Sequence, residues 1–111
     1  MPVIDRVLNM CSLAKKAGKA ASGGFLSEEA VRKGAARLVI LAMDASNNSQ
    51  KSLRDICAYY KVPIVSYGTK ESLGHAIGCE QRASITITDD GIANKILNLL
   101  NTNGGIMDGK N

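Results

Sequence analysis

Two short stretches carry residue types from which a binding site could be built. In Ser22-Gly23-Gly24-Phe25, two adjacent glycines stand where a turn would meet the start of a helix. Glycine lets another backbone approach closely, and a helix N-terminus offers amide donors that lack intrahelical partners. A phosphate oxygen or a base edge can accept from such donors, although the same letters also make a plain turn. In Met43-Asp44-Ala45-Ser46, an aspartate falls just past the apolar run Leu38-Val39-Ile40-Leu41. Three roles compete for Asp44: a brace accepting backbone N–H groups, an acceptor for a base amino group, or a phosphoacceptor or metal ligand. The third role wants acidic partners at the end of the first strand, where the chain instead reads Ser-Gly-Gly.

Catalysis finds less material. His75, the one histidine, sits beside Gly74 on a short helical stretch, and nothing marks a nucleophile for it. Cys11, Cys57 and Cys79 make an odd count with no C-x-x-C pair, so neither a disulfide framework nor a metal site is expected. Cys11 and Cys57 fall on apolar helical stripes, where a small buried hydrophobe fits. Reduced thiols in a cytoplasmic protein are the simplest account. No phosphate-binding G-x-x-x-x-G-K occurs, and no G-x-G-x-x-G follows a strand. The expectation is a protein without catalytic residues, metal or cofactor.

The elements that must position these loops alternate along the chain. Ile4, Val7, Leu8, Cys11 and Ala14 have helical spacing over residues 3–17, with Pro2 in the first turn and Gly18 as a stop. Lys19 to Ser22 reads as a short strand entering the glycine turn, and Phe25 to Lys33 as a helix ending at Gly34. Arg37 to Met43 is a strand whose near-continuous apolar run implies cover on both faces. Asn48 or Ser49 caps a third helix with a predicted buried stripe of Leu53, Ile56, Cys57 and Tyr60. Pro63 to Gly68 is a strand, and Thr69 caps a short helix carrying Leu73, Ala76 and Ile77. Arg82 to Asp90 alternates with period two, and Asp89 or Asp90 caps a last helix through Ile92, Ile96, Leu97 and Leu100. The order predicts an α/β fold: a single-domain three-layer α-β-α sandwich around a mixed sheet of about four strands. Residues 1–103 form this domain, and the Gly/Asn-rich residues 104–111 read as a disordered tail.

Charge narrows the partner. The 111 residues carry a formal net charge of +4. Residues 1–61 hold ten Lys/Arg against five Asp/Glu, while residues 62–111 hold four against five, so the positive excess lies in the first half. That asymmetry suits a polyanion, nucleic acid before a membrane surface, or simply a solvated basic face. Lys15, Lys16 and Lys19 approach the glycine loop along the chain, and Arg32 and Lys33 lie at the far end of the second helix. Their functional reading is phosphate neutralisation around an RNA; their plain reading is solubility. No apolar run is long enough to span a bilayer.

The stretches AKKAGKAASGG, ARLVILAMDAS, YYKVPIV and ESLGHAIG, in this order and spacing, resemble the bacterial branch of the kink-turn-binding ribosomal protein family. That family includes archaeal and eukaryotic large-subunit ribosomal proteins and box C/D ribonucleoprotein core proteins, and the resemblance spans about residues 2–100. It implies a non-catalytic protein whose partner is structured RNA, a kink-turn or ribosomal RNA, with ribosome association. A monomeric, cytoplasmic protein is the accompanying expectation. In the family, an RNA kinked by sheared G·A pairs docks on the N-terminus of the second helix. The loop after the next strand and the loop after the fourth helix flank it. Carried over, the site is Gly23, Gly24 and Phe25, then Met43 and Asp44, then Cys79 to Arg82 with Gln81 and Arg82 as contacts. Lys19 and Lys33 serve as the nearby cations.

The sequence departs from the family signature G-x-N-E-x-x-K. Aligned from Gly34 back to Gly23, the Asn falls on Phe25, the Glu on Leu26 and the Lys on Glu29. The A-E-D of the second loop reads Ala42-Met43-Asp44. Asn and Glu read purine edges through hydrogen bonds that Phe and Leu cannot make. Each lost contact is worth about 1–3 kcal/mol. Phe25 can recover a similar ~1–3 kcal/mol by stacking on an unpaired base, or it can serve as a core or staple contact at the helix start. The alternative function is a protein-interaction module that kept the fold, with Phe25 and Leu26 as its contact patch.

Overall fold

The computed structural model describes residues 5–102. The expectations for Pro2, Ile4 and the tail from residue 104 lie outside them. The order is α1 (Arg6–Lys16), β1 (Ala20–Ser22), α2 (Gly24–Arg32), β2 (Leu38–Leu41), α3 (Asn47–Tyr60), β3 (Ile64–Ser66), α4 (Lys70–Ala76), β4 (Ser84–Ile87) and α5 (Asp90–Thr102). This is the predicted alternation. The sheet runs β1-β4-β2-β3. β4 lies antiparallel to β1 and β2, and β2 pairs parallel with β3 through the α3 crossover, so the sheet is mixed as expected. Helices α1, α4 and α5 pack together on one face, and α2 and α3 on the other.

Every residue of β2 is buried, because helices cover both its faces. Leu38 and Ile40 join Ile85 and Ile87 of β4 in a cluster with Val7 and Cys11 of α1, Leu73 of α4 and Ile96 of α5. Val39 packs with Ala30 and Val31 of α2 and Cys57 of α3. β4 is also wholly buried, so its alternation separates two covered faces of different chemistry. Ser84, opposite Leu41, pairs its hydroxyl with that of Ser27 in α2 at 2.9 Å. Thr86, opposite Val39, buries an Oγ1 that has no hydrogen-bond partner among the described residues.

Several boundaries differ from the sequence reading. Asp5 caps α1, its Oδ1 accepting from the Leu8 amide at 3.0 Å. Ser46, not Asn48 or Ser49, caps α3: its hydroxyl accepts from the Ser49 amide at 3.1 Å. At α5 one of the two expected caps is realised: Asp89 accepts from the Ile92 amide at 2.9 Å. Tyr60 leaves the predicted buried stripe and is 43% exposed. A helix of 14 residues is ~21 Å long, whereas a four-residue strand reaches only ~13 Å. The last turn of α3 therefore runs past the sheet it would pack on.

Candidate nucleic-acid interface

One end of the sheet gathers Ser22 of β1, Leu41 of β2, Ser66 of β3 and Ser84 of β4, by strand register. The Gly23–Phe25 turn, the Met43–Asp44 loop and the Cys79–Arg82 loop all leave from this end. Hydrogen bonds join them into one wall. The Met43 amide donates to the Gly68 carbonyl at 2.8 Å. Asp44 Oδ1 accepts from the Lys70 amide at 2.8 Å, tying the second loop to the start of α4. The Lys70 carbonyl accepts from the Arg82 amide at 3.0 Å, and Arg82 Nε donates to Ser22 Oγ at 3.3 Å. The Gly23 amide donates to the Ser84 carbonyl at 3.0 Å.

Of the three roles open to Asp44, the geometry realises the brace. Gly23 caps α2 with φ 87, in the left-handed region where a side chain is strained. The third loop returns close over α4. A Cβ on buried Gly74 would lie 1.4 Å from the Glu80 carbonyl oxygen, so only glycine fits beneath it.

Helices α2, α3 and α4 all begin at this edge, and each N-terminus carries partial positive charge. Ser46 caps α3, and Thr69 caps α4 in a reciprocal capping box with Ser72. Helix α2 has no side-chain cap, which leaves its first-turn amides as donors for a ligand. The charged residues of these loops and of the start of α4 are mixed in sign: Lys70 and Arg82 with Asp44, Glu71 and Glu80. Attraction for an anion must come largely from backbone amides and helix ends, with Arg82 as the close guanidinium.

The edge also presents apolar surface. Phe25 is 77% exposed and Met43 63% exposed, with Leu26 beside them at 48%. Phe25 is thus neither a core nor a staple contact. Next to it, α2 and α3 frame a shallow groove of about 290 Å³ lined by Gly24, Phe25, Glu28 and Ser52, among others.

Seven of the nine sequence-expected site residues meet here: Gly23, Gly24, Phe25, Met43, Asp44, Gln81 and Arg82. Lys19 and Lys33 do not. Lys19 precedes β1 at the opposite end of the sheet, where its carbonyl accepts from the Thr88 amide. Lys33 caps the far end of α2, beyond ~13 Å of helical rise. Sequence reasoning placed Ser22 in the glycine loop but missed that it holds Arg82, and it missed Lys70, whose amide holds Asp44. A signal for the second was the Thr69 cap, which makes position 70 the first helical amide. Among the described residues, no three His, Cys, Asp or Glu side chains gather as a metal-ligand set. No described helix is long and apolar enough to cross a membrane.

Fold and edge together define a small α-β-α module that presents loops and an uncapped helix start to a ligand. The chain belongs to the ribosomal protein L7Ae/L30e/S12e/Gadd45 family, whose model matches residues 5–97. It is 42% identical over 91 residues to the RNA-binding protein YlxQ of Bacillus subtilis (strain 168), covering 82% of this chain and 91% of that protein. The Enterococcus faecium protein of the same name is 33% identical over 96 residues, covering 86% and 92%. A solved structure of a Bacillus halodurans protein of unknown function superposes with a TM-score of 0.82 at 33% identity, covering 86% and 97%. The Giardia lamblia 15.5 kD RNA-binding protein shares the fold, with a TM-score of 0.74 at 22% identity, covering 90% and 92%.

Proposed function

We propose that this chain is a non-catalytic, cytoplasmic RNA-binding protein that takes a kinked, structured RNA on the three-loop edge, a kink-turn or a ribosomal RNA element. The observation that carries the proposal is the convergence of the uncapped α2 start, the braced Met43–Asp44 loop and Arg82 at one edge. Relatives that align over most of the chain are named as RNA-binding proteins. Phosphates would accept from the Gly24–Leu26 amides and from Arg82. With Phe25 and Leu26 in place of purine-reading Asn and Glu, an unpaired base would stack on the Phe25 ring.

The test compares a kink-turn RNA with a straight duplex of matched length across a salt series. Tighter binding of the kinked RNA at every salt concentration is the expected result. Equal, steeply salt-dependent affinity for both would reduce the site to a non-specific charge contact. A second reading, a protein-interaction module, draws on the same exposed Phe25, Leu26 and Met43. It would prevail if structured RNAs fail to bind while a nuclease-resistant protein partner protects those side chains.

A further inference from the structure

The end of α3 opposite the three-loop edge carries features that this reading leaves unused. The chain has only four aromatic residues, and Tyr59 and Tyr60 are 79% and 43% exposed. Their rings meet edge to face, with centroids 4.9 Å apart and planes at 76°. Lys61 follows in the left-handed conformation, φ 62, at the C-cap of α3. Glycine or asparagine ordinarily holds that position, so a lysine there carries a conformational penalty. Beside it, Gly34, Ala36, Arg37, Tyr60, Lys61 and Pro63 line a depression of about 300 Å³ between the ends of α2 and α3. Lys33, the C-cap of α2, directly precedes the lining residue Gly34. Asp90, the nearby acid, is held by Arg37 at 3.1 Å, while Lys33 and Lys61 make no ion pair among the described residues.

Helix C-termini favour cations, which explains positive charge at positions 33 and 61. It explains neither two adjacent tyrosines left in water nor a side chain kept where glycine is easier. π-faces bordered by unpaired cations are the chemistry of single-stranded nucleic acid binding: bases stack and phosphates are neutralised.

We infer that Tyr59, Tyr60, Lys61 and Lys33 form a second contact surface, for unpaired RNA, at the far end of α3. It lies the length of α3, ~21 Å, from the three-loop edge, so a strand flanking a structured element can reach it. The surface does not depend on the three-loop edge being an RNA site.

The experiment measures binding of a short unstructured oligoadenylate and of a kink-turn RNA without extensions, by fluorescence anisotropy. The proteins are wild type, Tyr59→Ala, Lys61→Gly and Arg82→Ala. Tyr59→Ala should weaken oligoadenylate binding about tenfold, in the range of one lost stacking contact. Lys61→Gly should weaken it a few-fold and flatten its salt dependence by about one phosphate. The same change should raise the thermal midpoint, since glycine accepts the left-handed cap, so a loss of affinity cannot be blamed on unfolding. Both variants should keep kink-turn binding, and Arg82→Ala should lose kink-turn affinity while keeping oligoadenylate. Unchanged oligoadenylate affinity in both α3 variants overturns the proposal. So does parallel loss of both ligands in Arg82→Ala, which would mean a single site. Tyr59 and Tyr60 ring resonances that move with an acidic polypeptide but not with oligoadenylate would assign the surface to a protein partner instead.

Discussion

At the scale of single residues, the informative side chains at the three-loop edge divide into those that hold and those that face outward. Asp44 is spent on the Lys70 amide, so its carboxylate shapes the second loop. Arg82 is anchored by Ser22 and by the Gln81 carbonyl, which accepts from Nη1 at 2.9 Å, and so is oriented before any ligand arrives. Phe25 makes no such commitment. A ring this exposed contributes little to folding, so Phe25→Ala should leave the urea midpoint unchanged within ~0.5 kcal/mol of stability. If the ring stacks on a base, the same variant should bind kink-turn RNA about tenfold more weakly, in line with ~1–3 kcal/mol per stacked base. Anisotropy titration beside urea unfolding separates the two effects. An unchanged affinity would remove Phe25 from the RNA site.

At the scale of elements, two positions show how tightly the layers are set. Gly74 lets the third loop fold back onto α4, and no rotamer change can relieve a Cβ that meets the Glu80 carbonyl. Gly74→Ala should cost at least ~1–3 kcal/mol, as overpacking does, and shift the amide resonances of the Cys79–Arg82 loop. Native-like spectra and stability would show that the loop moves freely there. Thr86 is the opposite case, a hydroxyl buried under α2 with no partner among the described residues. Thr86→Val keeps the shape and removes an unsatisfied group, so the urea midpoint should rise by the equivalent of about 1 kcal/mol. A loss would mean that the hydroxyl is satisfied. Other elements mark what periodicity could reach. Thr69 as a cap and the doubly covered β2 were legible because cap chemistry and apolar runs are local. The α3 cap was misplaced because Ser46, Asn47, Asn48 and Ser49 are all competent caps in one run. Tyr60 kept the helical period, but the sheet beneath it ends first. That Gly74 sits under a returning backbone is a contact between elements, which spacing does not encode.

At the scale of the molecule, the strand order decides what comes together. Gly23, Asp44 and Arg82 are far apart in sequence, and the β1-β4-β2-β3 order brings their loops to one edge. The first two loops were legible from their residues; the third, and its meeting with them, only through the family resemblance. The basic first half was visible as a sum but not as a place: the fold sends Lys19, Lys33 and Lys61 to the end away from the glycine turn. Between the two ends, burial raises three ionisable groups above their ordinary values. Burial, with the Asp5 carboxylate adding, pushes the Cys11 thiol from 9.0 to about 12. Burial pushes the Cys57 thiol from 9.0 to about 11. The Tyr67 hydroxyl rises from 10.0 to about 12, through burial first and then through its hydrogen bond to Asp5 Oδ2 at 2.8 Å. That bond ties the N-cap of α1 to the segment between β3 and α4. A tyrosine whose folded value is raised contributes stability fully below its unfolded value, and the contribution is lost as pH rises through the folded one. From neutral pH upward, the stability difference between wild type and Tyr67→Phe should therefore be constant to about pH 10 and shrink between about pH 10 and pH 12. Paired urea melts across that window are the measurement. A difference that stays flat would show that Tyr67 ionises as freely in the folded protein as in the unfolded chain.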